Sequence, residues 1–254
     1  MIDTHCHLNF PDHFADINAT LLKAKEADVQ EMVVVGINEQ SSHEALRLAK
    51  VYPNLYATAG WHPTEVSGFN PVWLEPISEL LAHPQVVAVG EIGLDFHWDK
   101  SSKEDQFLAL ESQIELANEF DKPVIFHCRE ANQDLITFLK QDRLNVRFVL
   151  HCFSGSLEEA QEAMKLDAYF GFDGPITFPK SEASRQLIRF LPKERILIET
   201  DSPFLAPIPY RGKPNQPAFL RYVAEEVARC WQTNLEDAVA ILDANARRFF
   251  GLTP

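Results

Sequence analysis

Short apolar runs, each followed by an amphipathic stretch, recur along all 254 residues, and this alternation most limits what the chain can fold into. Eight runs read as strands: Met1–His5, Glu31–Gly36, Leu55–Gly60, Val86–Glu91, Pro123–His127, Arg147–His151, Ala168–Phe172 and Ile196–Asp201. Between them lie helical patterns at Ala15–Ala27, Ser41–Val51, Pro71–Leu81, Lys103–Phe120, Asn132–Lys140, Ser156–Leu166 and Ser181–Phe190. Pro217–Arg229 and Leu235–Phe250 close the chain. Such alternation specifies a parallel sheet with helical crossovers. Eight strand–helix units in one domain length predict an α/β fold, a single (β/α)₈ TIM barrel over residues 1–254. The competing doubly wound sheet usually has fewer strands and a glycine-rich phosphate turn after the first one. Here the first strand runs into His5-Cys6-His7 instead.

Active sites of such barrels sit on the rim at the C-terminal ends of the strands. Polar residues that do not belong in buried strands gather at that end: His5 and His7 after the first run, Glu91 ending the fourth, His127 the fifth, His151 the sixth and Asp201 the eighth. His-x-His places two imidazoles on one face, because strand side chains alternate with a period of two. The same alternation turns Cys6, Cys128 and Cys152 toward the helical layer, where a free cysteine packs as a small hydrophobe. Phe148, Phe170, Phe172, Phe249 and Phe250 read as core. One histidine at a strand end is commonly a hydrogen-bonded structural residue. Six ionisable groups converging on one mouth are costly to bury without a cation. Four imidazoles with two carboxylates suit Zn²⁺, Mn²⁺, Fe²⁺ or Co²⁺; the oxygen donors also admit Mg²⁺, and Ca²⁺ is a poor match. The expected arrangement is two divalent metal ions, one on His5, His7 and Asp201, the other on His127 and His151, with Glu91 bridging. Asp201 is then placed to act as general base toward an activated water.

Further residues border this mouth. His62, just past the third run, is expected to contact the scissile group or donate a proton; the plainer alternative is a loop histidine packed on Pro63. Arg129 offers charge-assisted binding of a phosphate, or an ion pair with Asp95 or Glu130. Arg211 and Lys213 lie in a Pro/Gly-rich loop after the last strand, as substrate-binding cations or as solvated loop residues. Glu199 is expected to orient a histidine ligand or to fill the barrel as a hydrogen-bonded carboxylate. His13, His43, His83 and His97 read as surface residues.

The formal net charge of −14 argues against tight, nonspecific duplex binding through bulk electrostatics. It leaves a nuclease possible, since bound cations supply local positive charge. A recessed mouth without an extended basic surface suits a strand end better than the middle of a duplex. The four cysteines show no C-x-x-C pairing, which fits a reducing compartment. No run approaches the ~18 apolar residues of a membrane span, and the N-terminus lacks signal-peptide character. A cytoplasmic protein without membrane contact is expected.

The motifs carrying these residues resemble the TatD family of metal-dependent hydrolases, often described as deoxyribonucleases, within the amidohydrolase superfamily. Asp3-Thr4-His5-Cys6-His7-Leu8 is similar to the family's opening motif, and Gly60-Trp61-His62-Pro63 to its Gly-x-His-Pro. Gly90-Glu91-Ile92-Gly93-Leu94-Asp95 resembles the segment of the bridging carboxylate. Pro123–Ala131 and His151-Cys152-Phe153-Ser154-Gly155 follow, then Ile198-Glu199-Thr200-Asp201-Ser202-Pro203 and Arg211-Gly212-Lys213-Pro214-Asn215-Gln216-Pro217. The likeness covers essentially the whole chain. It implies a (β/α)₈ barrel, divalent metals, hydrolysis of DNA phosphodiesters and a monomer. The segment Phe96-His97-Trp98-Asp99-Lys100 departs from the aromatic-rich version of some members, which leaves substrate choice open. Two other readings stay in play: a hydrolase of a small phosphoester, carboxyl ester, amide or lactone on the same scaffold, and a non-enzymatic protein with structural metals.

Overall fold

A computed structural model describes residues 1–141 and 143–253; Asp142 and Pro254, which fall within the single domain expected over 1–254, lie outside the described residues. Eight strands form one parallel sheet in sequential order: β1 (Ile2–Cys6), β2 (Glu31–Val34), β3 (Leu55–Ala59), β4 (Val86–Asp95), β5 (Val124–Arg129), β6 (Phe148–Leu150), β7 (Tyr169–Phe172) and β8 (Ile196–Ile198). Closure of β8 onto β1 runs through the Cys6–Ser202 bridge, Asp201 N–H to His5 O (2.9 Å) and His7 N–H to Ser202 O (2.8 Å). The fold is thus the expected TIM barrel.

The helices are α1 (Ile17–Glu26), α2 (Glu39–Val51), α3 (Glu75–Leu81), α4 (Lys103–Glu119), α5 (Asn132–Leu139), α6 (Leu157–Met164), α7 (Glu182–Phe190), α8 (Leu220–Trp231) and α9 (Leu235–Phe250). Their starts follow capping chemistry. Asp16, Asn38, Ser102, Ser156 and Asn234 each accept a first-turn N–H, and Ser156 with Glu159 closes a capping box. Pro71–Leu74 and Pro217–Phe219, expected as parts of helices, are 3₁₀ turns leading into α3 and α8. None of the described helices is long and apolar enough to cross a membrane.

Alternation along the strands sorts the core into two layers. Met32, Val34, Val124, Phe126, Phe148, Leu150, Phe170, Phe172, Ile196 and Ile198 pack outward with the helices. Ile2, Val33, Val35, Val87, Ile125, Val149, Tyr169 and Leu197 pack together with Ala246, Phe249 and Phe250 of α9. The second group is the barrel interior at its N-terminal end, plugged by α9. Asn245 reinforces the plug by donating to the carbonyls of Lys193 (2.7 Å) and Ile196 (2.9 Å). One step further along β5, and just past the ends of β6 and β8, apolar residues give way to ionisable ones: Ile125 to His127, Val149 to His151, Leu197 to Glu199.

Several strand ends depart from expectation, and each departure bears on the rim. Glu91 does not end the fourth strand: β4 continues to Asp95, with its register shifted between Val89 and Ile92, and Glu91 N–H donates to Gly36 O (2.8 Å). β5 likewise runs two residues past His127. Conversely, β6 and β8 stop at Leu150 and Ile198, so His151 and Asp201 stand in the turns that follow. Asp201 has φ +53° and Cys152 φ +47°, left-handed values that end the extended chain there.

Candidate metal centre

All six expected ligands converge on one buried mouth. Glu91 sits at its middle and faces histidines with both carboxylate oxygens. Its Oε2 lies 3.4 Å from His5 Nε2, and its Oε1 lies 2.9 Å from His127 Nδ1 and 3.0 Å from His151 Nε2. On the Oε2 side, Asp201 Oδ1 lies 3.6 Å from His5 Nε2 and 3.4 Å from His7 Nε2, and the two imidazole nitrogens are 3.3 Å apart. His5, His7 and Asp201 therefore present a compact three-donor set. His62, Glu91 and His127 form a second such set, and His5, His151 and Glu199 a third.

Whether these residues suit a cation is decided by their far nitrogens. An imidazole that ligates through one nitrogen carries its proton on the other and donates it to an acceptor. His7 Nδ1 faces Val35 O at 3.2 Å, His127 Nε2 faces Asp95 Oδ2 at 2.8 Å, and His151 Nδ1 faces Glu199 Oε1 at 3.2 Å. Each contact gives the far proton an acceptor, so that loss of any inward proton would free that nitrogen's lone pair for a cation. Of these four far nitrogens, His5 Nδ1 alone is buried without a partner. The donor set fits divalent cations.

His62 has the opposite polarity. Thr64 N–H donates to its Nδ1 (3.1 Å), so in the neutral ring the proton sits on Nε2, which points toward Glu91 Oε1 at 3.6 Å. Ligation through Nε2 would require that proton to leave. His62 is thus a hydrogen-bond donor into the mouth. Burial and the neighbouring His127 depress its pKa to about 3, keeping the ring neutral.

Burial penalises every charge here, and the pairing decides the outcome. Burial raises Glu91, but His151, His62 and His5 hold it well below the usual carboxylate range. Asp201 is likewise raised by burial and, on balance, lowered by the His7 hydrogen bond and the charges of His5 and His151. Burial lowers His151, yet Glu91 and Glu199 keep it well above the ordinary imidazole value. On β7's rim, Asp173 is pushed up to about 8 by burial and by Glu199 and Asp201.

The secondary candidates fare differently. Glu199 takes the expected orienting position: its Oε1 accepts from Cys152 N–H (2.6 Å) and faces His151 Nδ1. Gly171 makes room for it, since a Cβ there would stand 2.6 Å from both carboxylate oxygens. Arg129 forms no ion pair with Asp95 or Glu130 among the described residues: Asp95 engages His127 and Glu130 engages His97 (2.7 Å). Its guanidinium lies over the Trp98 ring, 5.5 Å from the centroid. Arg211 lies over the Phe178 ring, and Lys213 is exposed. Cys6 and Cys128 join the core as expected, and Cys230 packs there too. Cys152 does not, because its left-handed backbone breaks the alternation and sets its thiol beside Asp173. His13, His43 and His97 are exposed and His83 is half-buried.

Asp3, Asp95 and Asn215 stand in the motifs quoted above, but their sequence context alone assigns them no part in holding the ligands. Asp95 holds His127 with Oδ2 and accepts from His97 N–H and Trp98 N–H (3.0 Å each) with Oδ1. Period two from Glu91 through Gly93 to Asp95 was the available signal, lost by ending the strand at Glu91. Asp3 accepts from His5 N–H (3.3 Å), Thr200 N–H (2.9 Å) and Thr200 Oγ1 (2.6 Å), tying β1 to the Asp201 turn. Asn215 donates to the carbonyls of Thr200 and Phe204, 2.7 Å each.

A family model described as TatD related DNase matches residues 2–251. Over 98% of each chain, the sequence is 41% identical to the uncharacterized metal-dependent hydrolase YabD of Bacillus subtilis. It is 36% identical to the 3'-5' ssDNA/RNA exonuclease TatD of Edwardsiella piscicida, covering 99% of this chain and 100% of that protein. The crystal structure of YJJV, a TatD homolog from Escherichia coli, superposes with a TM-score of 0.93 at 34% identity, over 100% of this chain and 98% of that one.

Proposed function

This chain belongs to the TatD-related DNase family and is a metal-dependent hydrolase; from that premise we propose a deoxyribonuclease, a single-domain monomer that trims single-stranded DNA from an end. The observation that carries it is Glu91, whose two oxygens face two separate donor groups as a bridging carboxylate would. His5, His7 and Asp201 would hold one divalent ion, His127 and His151 the other. A bound cation pair supplies Lewis acidity and a water of lowered pKa. The protein's own groups would do the rest. Asp201, anionic at neutral pH, accepts the proton of the attacking water. His62 offers Nε2–H to a phosphoryl or leaving oxygen. Glu199 and Asp95 hold His151 and His127 in the ligating tautomer. Arg129 and Arg211 would supply cations for flanking phosphates. The relatives named as 3'-5' ssDNA/RNA exonucleases support strand ends as substrate.

The test is purified protein, stripped and reloaded with Mn²⁺ or Mg²⁺, on 3'- and 5'-labelled oligonucleotides beside a carboxyl-ester panel. Stepwise shortening of single strands that Glu91→Gln abolishes is expected. Carboxyl-ester turnover with intact oligonucleotides would refute the nuclease reading.

A further inference from the structure

We propose that Phe204 and Trp98 are base-stacking platforms on opposite sides of the mouth, gripping the nucleotides that flank the scissile phosphate; this rests on the nuclease reading above.

Phe204 is 47% exposed and Trp98 51%, a high apolar exposure for two large rings at one barrel mouth. Phe204 follows β8, next to β1, and Trp98 follows β4, next to β5. In a closed eight-stranded barrel those pairs of strands are opposite each other, so the proposed ligands lie between the two rings. On the Phe204 side, Phe10 stacks on His7 at 4.7 Å and Phe204 packs edge-on at 6.0 Å from His7, extending an aromatic surface up from the ligand itself.

Neither ring rides on a loose loop. Phe204 N–H donates to Asp201 O (2.8 Å), and Asn215 clamps Phe204 O. Trp98 N–H donates to Asp95 Oδ1, while Asp95 Oδ2 holds His127. Each platform is therefore tied through one or two hydrogen bonds to a proposed ligand, which fixes its distance from the reacting centre. Arg129 lies over one face of Trp98, and the ring still keeps about half its surface in water; an aromatic surface left in water at a fixed place beside a reaction centre suits a ligand with a flat π-surface. Unpaired nucleobases are such a ligand, and every base can stack, so grip is gained without sequence preference. In a protein of net charge −14, stacking also supplies binding that a basic groove would otherwise provide.

The test uses the manganese-loaded enzyme and single-stranded oligonucleotides with a tetrahydrofuran abasic residue on one side or the other of the cleaved bond. Binding of the same strands is followed in EDTA by fluorescence anisotropy. In the wild type, an abasic residue on either side should lower kcat/KM roughly tenfold, the scale of one lost base–aromatic stack. Phe204→Ala should abolish that discrimination on one side, Trp98→Ala on the other, and Phe204→Trp should restore it. Cleavage without base discrimination in the wild type, or discrimination kept in both alanine variants, would overturn the platforms while leaving the nuclease reading intact. A wild type that neither cleaves nor binds any oligonucleotide would overturn both.

Discussion

His151 shows how one side chain couples the candidate site to protons. Its ring lies between Glu91 and Glu199 and stacks on His5 at 4.0 Å. Burial disfavours its charge, but the two carboxylates prevail, so without a cation it holds a proton at neutral pH. Ligation needs the lone pair of Nε2, so uptake of a cation must expel that proton. Metal affinity should therefore rise with pH toward the raised pKa of His151 and level off above it. Calorimetric titration in two buffers of different ionisation enthalpy should show net proton release; buffer-independent heats would contradict it. Glu199→Gln removes one of the two carboxylate charges beside His151 and leaves only the weaker amide oxygen to accept from its Nδ1. A loss of metal affinity of roughly 10- to 100-fold is expected, with the fold retained. Equilibrium dialysis against Mn²⁺ measures it.

Among the elements, β4 and the loop after β8 carry the most. Gly93 has φ +142°, and a Cβ there would collide with His127 O on β5. Gly93→Ala should cost about 1–3 kcal/mol in backbone strain and clash. Because it pushes His127 away from Glu91, metal content should fall along with the denaturation midpoint in urea. Asn215→Ala leaves two carbonyls without their donor, a loss of about 2 kcal/mol, read in the same titration. These elements also mark how far sequence alone reaches. Period-two alternation gives the strands and the inward or outward sense of His127 against Cys128, since it depends only on local backbone. It gives Asp95 no place beside His127, because the period-two step from Glu91 through Gly93 to Asp95 counts only once β4 is known to run on past Glu91. It misplaces Cys152 because a left-handed residue reverses the alternation. It leaves Arg129 undecided because the outcome turns on which distant side chains have already claimed Asp95 and Glu130.

For the molecule as a whole, the barrel gathers Glu91, Asp95, Asp173, Glu199 and Asp201 at one buried end, in a chain of net charge −14. Cations that bind the folded state alone stabilise it by linkage. Chelation should therefore lower the melting temperature by several degrees, and Glu91→Gln should shrink that difference, as scanning calorimetry with and without EDTA would reveal. An unchanged melting temperature would count against a cation in the mouth. The central claim is that barrel closure brings six donors together to hold a pair of ions across Glu91. Anomalous diffraction from manganese-loaded crystals tests it most directly. Two peaks about 3.5–4 Å apart, one at each oxygen of Glu91, are predicted; a single peak, or none among these donors, would contradict the account.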